Sequence, residues 1–218
     1  MTAVNLRVAI AAAVLTVPAI HVTHARAQLV TLSPHGGVLN VPGGSMIPMT
    51  VIGSGLRTKT ILLVMFKVYT ARFLVSANHA AKFERTPTGA LESLDAIPAV
   101  AMHLTFERRV SSEQLADSLN AAMRANGYDV KRDTDLQALS KVISASDAIP
   151  SRSTAILAAI RAEPDIDVVV YQAPSGAIAS VRGRSGLKRA LMSAWFGKPA
   201  DGGLRGLRDE ILGIKAGE

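Results

Sequence analysis

Leu56-Arg57-Thr58-Lys59-Thr60-Ile61-Leu62-Leu63-Val64-Met65-Phe66-Lys67-Val68-Tyr69-Thr70-Ala71-Arg72-Phe73-Leu74-Val75 contains no Gly, Pro, Asn or Asp. Its β-branched and aromatic residues favour strand, as two strands or one long bent one, while periodicity alone leaves a buried helix over residues 60–66 open. The stretch holds no residue of the kind that ordinarily turns a hairpin.

Upstream, residues 28–55 are rich in Gly, Pro and Ser, with short β-prone runs such as Met49 to Ile52 between them. They read as an entry arm of edge strands and turns. Downstream, Pro87 to Gly89 marks a turn and Ala99 to Phe106 the next strand. A helix follows, because Ser111 and Gln114 stand at the spacing of a capping box, and Leu115, Leu119, Ala122 and Met123 share one face. Asn126-Gly127 supplies its left-handed stop. A second helix is expected from about Asp135 to Ser144, whereas residues 154–162 suit helix or strand equally.

Val168 to Tyr171 and Ile178 to Val181, separated by Pro174-Ser175-Gly176, form a predicted β-hairpin. Helices are expected from about Ser185 to Phe196 and from about Gly203 to Leu212, the latter ended by Gly213. The fold class is therefore α+β, a largely antiparallel sheet covered by helices on one face.

The N-terminus reads as an export signal. Arg7 supplies positive charge, Val8 to Ile20 is almost wholly apolar, and Ala25-Arg26-Ala27 offers small residues where a signal peptidase cuts. The apolar run is shorter than the roughly 20 residues needed to span a bilayer. Cleavage between Ala27 and Gln28 is expected, leaving one domain, residues 28–218, in the periplasm or outside the cell. Processing removes Arg7 and Arg26 and no acid, taking the formal charge from +7 to +5.

The remaining basic residues are scattered, with clusters at Arg182, Arg184, Lys188 and Arg189 and at Arg205 and Arg208. Both clusters read as solvated helix faces, and with aromatics at only 4% the chain lacks the stacking residues of a nucleic-acid binder. Cysteine is absent, which excludes disulfides, thiolate catalysis and cysteine metal sites. His35, His79 and His103 have no partner at ligand spacing, so metal binding is not expected, and His103 reads as a core or edge histidine. No G-x-S-x-G elbow, Walker loop or G-x-G-x-x-G fingerprint is present. The acids Glu84, Glu92, Asp95, Glu107, Glu113 and Asp117 read as surface.

Two segments carry a family resemblance. Gly55-Leu56-Arg57-Thr58, followed by Phe66-Lys67-Val68-Tyr69-Thr70-Ala71, resembles the G-x-R segment and K-V-Y-x-A strand of the chalcone isomerase fold family, especially its bacterial exported branch. Trp195-Phe196-Gly197-Lys198-Pro199-Ala200-Asp201, with Leu204 and Ile211-Leu212-Gly213, is similar to that family's tail. The resemblance implies an open-faced sandwich with a ligand cleft between sheet and helices, and no cofactor. It also implies that Arg57 points into the cleft, where Arg57 and Tyr69 resemble the pair that fatty-acid-binding relatives use for a carboxylate.

Three functions follow as expectations. The first is binding of a small amphipathic carboxylate, such as a fatty acid, by Arg57 and Tyr69 with Lys67 and Thr70 nearby. A guanidinium fork and a phenolic O–H suit that task through charge-assisted hydrogen bonds. The second is a ring-closing intramolecular lyase, in which Arg57 would stabilise a phenolate or enolate. The third is a non-catalytic cell-envelope interaction module.

Overall fold

The turn-free stretch is a hairpin. In the computed structural model, which describes residues 28–33, 36–41 and 44–214, strand β3 (Met46–Ile61) and strand β4 (Val64–Ser76) are joined by Leu62 and Leu63. Both leucines have positive φ, 48° and 68°. A two-residue hairpin loop needs that geometry to match the right-handed strand twist, and Asn-Gly normally provides it. The long ladder from Met49 opposite Ser76 to Ile61 opposite Val64 imposes it here on residues that resist it. The expected cleavage after Ala27 lies outside the described residues.

Around this hairpin stands an eight-stranded antiparallel sheet in simple sequence order. β1 (Val30–Leu32) and β2 (Gly36–Asn40) precede it. β5 (Ala99–Phe106), β6 (Thr154–Glu163), β7 (Ile166–Gln172) and β8 (Ile178–Arg184) follow. The short helix α1 (Gly89–Ser93) links β4 to β5, while α2 (Ser112–Ala125) and α3 (Thr134–Ser144) link β5 to β6. Helices α4 (Leu187–Phe196) and α5 (Gly202–Leu212) close the chain. The capping box forms as read, with the Gln114 N–H donating to Ser111 Oγ at 3.1 Å and the Ser111 N–H to Gln114 Oε1 at 3.0 Å. Among the described residues no helix is long and apolar enough to cross a membrane.

The buried strand residues go to one of two cores. On the helical side Phe73, Val75, Met102 and Phe106 meet Leu119, Met123, Trp195, Phe196 and Leu207. On the other side Leu74, Ala101, Ile156, Ala158 and Val170 meet Leu29, Leu39 and Met49 of the N-terminal arm. The sheet curls enough for the Leu29 N–H to reach Gln172 Oε1 on β7 at 2.8 Å. This second core explains the ambiguity at residues 154–162: Ala155 to Ile160 are all buried, so β6 shows no alternation.

One expectation is corrected. Lys188 is fully buried on α4, not on a solvated face, and its ammonium donates to the carbonyls of Leu94 at 2.8 Å and Ile97 at 2.5 Å. Arg182 and Arg184 lie on strand β8 and not on a helix face. The arginines of the cluster are peripheral and pair with acids, Arg189 with Asp95 at 2.7 Å and Arg182 with Glu163 at 2.5 Å.

Candidate ligand-binding cleft

Arg57 and Tyr69 face each other directly across the β3–β4 ladder. Immediately beyond them the register shifts, since Thr58 pairs with Lys67 and Val68 is left over as a bulge. The extra residue resets which side chains point toward the helices. Arg57 and Tyr69 are buried beneath α5, at 4% and 7% exposure, whereas Lys67 is exposed and lies outside the cleft lining. Thr70 also lies outside it, donating to Glu107 Oε1 at 3.2 Å.

Glycines let α5 lie against β3. A Cβ at Gly55 would meet Leu207 O at 2.7 Å, and one at Gly203 would run into the Thr58 carbonyl and the Arg57 guanidinium. This close seat delivers the α5 N-cap to Arg57. Asp201 caps the helix by accepting from the Leu204 N–H at 2.9 Å, and its other oxygen takes a hydrogen bond from Arg57 Nη2 at 2.7 Å. Arg57 Nη1 donates to the Thr58 carbonyl. Burial pushes the Asp201 carboxyl up, but the hydrogen bonds from Leu204 and Arg57 outweigh it and hold it below its ordinary value.

Tyr69 Oη accepts from Trp195 Nε1 at 3.2 Å, and its ring leans on Phe106 with centroids 5.5 Å apart. Burial raises the phenol above its ordinary value, against weaker opposing effects from Trp195 and Arg57. Tyr69 is therefore a protonated donor at neutral pH.

Above this pair opens a cleft of about 450 Å³ between the hairpin, α2 and the start of α5. Such a volume falls within the roughly 300–1,000 Å³ of small-molecule sites. Val68, Tyr69, Phe106, Leu115 and Leu204 supply its apolar wall, while the exposed Lys59, Arg108 and Arg109 stand at its rim. Arg57 and Tyr69 are thus the buried polar groups of the lining. Asp201 belongs to this site although sequence reasoning assigned it no role. It stood in the tail segment that carries the family resemblance, and the structure makes it the N-cap of α5, but nothing local in the sequence showed that the helix would dock on Arg57.

Other candidates carry less chemistry. A second hollow of about 300 Å³ is lined by Asp133, Asp135 and Arg184, which pair among themselves at 3.7 Å. His103 is half-buried on β5 outside the cleft, and burial together with Arg72 lowers its pKa. Among the described residues no group of three or more His, Cys, Asp or Glu is placed to hold a metal ion.

No protein-family model matches the chain, and no curated protein matches it. Among solved structures it is similar to a fatty-acid binding protein of Arabidopsis thaliana, at 19% identity and a TM-score of 0.54, covering 80% of this chain and 95% of that one. The fold is the chalcone-isomerase-like open-faced sandwich. At this identity the likeness concerns architecture alone.

Proposed function

We propose that this protein, exported and cleaved after Ala27, binds a fatty-acid-like amphipathic carboxylate, with the head group on Arg57 and Tyr69 and the chain along the apolar wall. The observation that carries this reading is a buried guanidinium and a buried phenol side by side beneath a mainly apolar cleft. A guanidinium has five N–H donors. With one terminal nitrogen on Asp201 and the other on Thr58, capacity remains for a ligand carboxylate. The structural likeness to a fatty-acid binding protein supports the same class of ligand.

Asp201 has a definite part in this reading. Without ligand it keeps the buried cation from standing unpaired, which would be costly. With ligand it is a like charge beside the incoming carboxylate. The ring-closing lyase reading has less support: Asp201 competes with an oxyanion for Arg57 as it does with a carboxylate, whereas the structural likeness to a fatty-acid binding protein favours binding.

Displacement of a fluorescent fatty acid, with native mass spectrometry for co-purifying lipid, tests the assignment. Charge-assisted hydrogen bonds contribute about 1.5–3 kcal/mol when shielded, so Arg57→Gln should weaken binding roughly tenfold or more. Asp201→Asn keeps a competent N-cap and removes the competing charge, so it should tighten binding several-fold. Wild-type affinity in Arg57→Gln would remove the basis for this site.

A further inference from the structure

The tip of the β3–β4 hairpin is the most exposed apolar feature among the described residues. Ile61, Leu62, Leu63, Val64 and Met65 are 46%, 93%, 97%, 53% and 70% exposed, and the other exposed large hydrophobic, Met46, stands apart at the far end of β3. Five consecutive solvent-facing apolar side chains are unusual on a water-soluble surface and mark a contact site for something apolar. They also stand clear of the body of the protein. The ladder with β5 stops at Tyr69 opposite Phe106, and the ladder with β2 stops at Thr50. Beyond the bulge, the pairs from Thr58 opposite Lys67 to Ile61 opposite Val64 form a two-stranded ribbon with no further strand beside it, touching the body at its base through Thr58 against Gly203 and Phe66 beneath Arg108. At about 3.4 Å per residue, its four pairs extend roughly 10–14 Å.

Charge identifies the partner. No acidic residue occurs between Gln28 and Phe83, so the whole hairpin carries Arg57, Lys59, Lys67 and Arg72 with no carboxylate of its own. Lys59 and Lys67 sit three and four pairs along the ladder from the turn, roughly 7–10 Å behind the first pair. Arg108 lies over the Phe66 ring at 5.1 Å and adds a cation at the same level, with Arg109 beside it. Glu107 and Asp117 are the nearby acids, and Glu107 is held by Thr70 on the body side of the bulge. An apolar tip with a basic collar at that depth matches an anionic bilayer, where side chains enter about 5–10 Å and lysines remain among the phosphates. A protein partner would need an apolar pocket for the tip and offers no reason for the collar's uniform sign.

We propose that this hairpin docks the protein on anionic lipid membranes, with Ile61 to Met65 inserted among the head groups and Lys59, Lys67 and Arg108 on the phosphates. Ile61 and Lys59 also line the cleft. Docking therefore sets the cleft mouth at the lipid–water boundary, where an amphipathic carboxylate could pass without crossing bulk water. That consequence rests on the ligand reading above, whereas the docking itself does not.

Flotation of the chain beginning at Gln28 with vesicles tests the proposal. Wild type should float with phosphatidylethanolamine–phosphatidylglycerol vesicles and fail to float with pure phosphatidylcholine. Leu62→Asn combined with Leu63→Gly installs the preferred residues for the turn, so the hairpin should still form. This variant should lose tenfold or more of the partitioning while keeping fatty-acid displacement, since neither leucine lines the cleft. Lys67→Glu should lose several-fold and make the remainder insensitive to salt. Equal flotation of wild type and the double variant would overturn the proposal, as would failure to float, or self-association through the tip in place of vesicle binding.

Discussion

At the scale of single residues, the buried cations carry different burdens. Arg57 is matched by a carboxylate, but Lys188 is held by two carbonyl oxygens, and Asp167 meets it through the Lys188 backbone N–H at 3.1 Å. Burial and the nearby Arg161 guanidinium lower the Lys188 ammonium to about 8, against the weaker pull of Asp167 and Asp95. The sign of the linkage follows. Below about pH 8 the lysine is charged in both states and its burial costs stability. Between about pH 8 and the ordinary value of 10.5 the unfolded chain keeps a proton that the folded chain has released, so stability rises with pH. Above about pH 10 the trend reverses, because burial raises Tyr69, Tyr128 and Tyr171 and the unfolded chain ionises first. Urea unfolding should therefore show a gain of about 1–2 kcal/mol between about pH 7 and pH 9.5. Lys188→Met should flatten the profile, and a flat wild-type profile would mean that the ammonium is better solvated than its burial implies.

At the scale of the element, the β3–β4 hairpin shows what sequence patterns reveal and where they fail. Its strand character was legible from Leu56 to Val75, because β-branched and aromatic residues fill it. Its turn was not, because turn chemistry is read from residues that prefer positive φ and Leu62-Leu63 do not. The two leucines lie in the left-handed region at about 1–2 kcal/mol each, and almost nothing is packed against them in return. Leu62→Asn with Leu63→Gly should therefore stabilise the fold by about 1–2 kcal/mol, after allowing for glycine's extra freedom when unfolded. The gain would appear as a higher urea midpoint with an unchanged slope. Gain of stability with loss of vesicle partitioning would identify the tip as strain kept for function. No gain would show that the positive φ values are relaxed in solution. The candidate site was partly legible, but only through the family resemblance of the segments that hold Arg57 and Tyr69, and the bulge at Val68 that separates them from Lys67 depends on register, which no local pattern specifies.

At the scale of the whole molecule, the sheet is a wall shared by two cores, and this was the least legible feature of the sequence. Alternation along β4 and β5 fits a sheet with one apolar face only while the other face is wet, yet Leu74, Ala99 and Ala101 are buried beside Phe73, Val100 and Met102. The Gly- and Pro-rich arm read as a mere entry segment, and it supplies Leu29, Val30, Leu39 and Met49 to cover that second face. Because one ladder of hydrogen bonds carries both cores, they should unfold together. Leu39→Ala, which empties a fully buried position on the arm side, should cost about 2–5 kcal/mol. The loss should register equally in far-ultraviolet circular dichroism and in the fluorescence of Trp195, which lies in the opposite core. A Trp195 transition that stays at its wild-type midpoint while the arm loosens would show that the arm is an independent flap. The curl that brings Leu29 to Gln172 would then be incidental to the stability of the cleft.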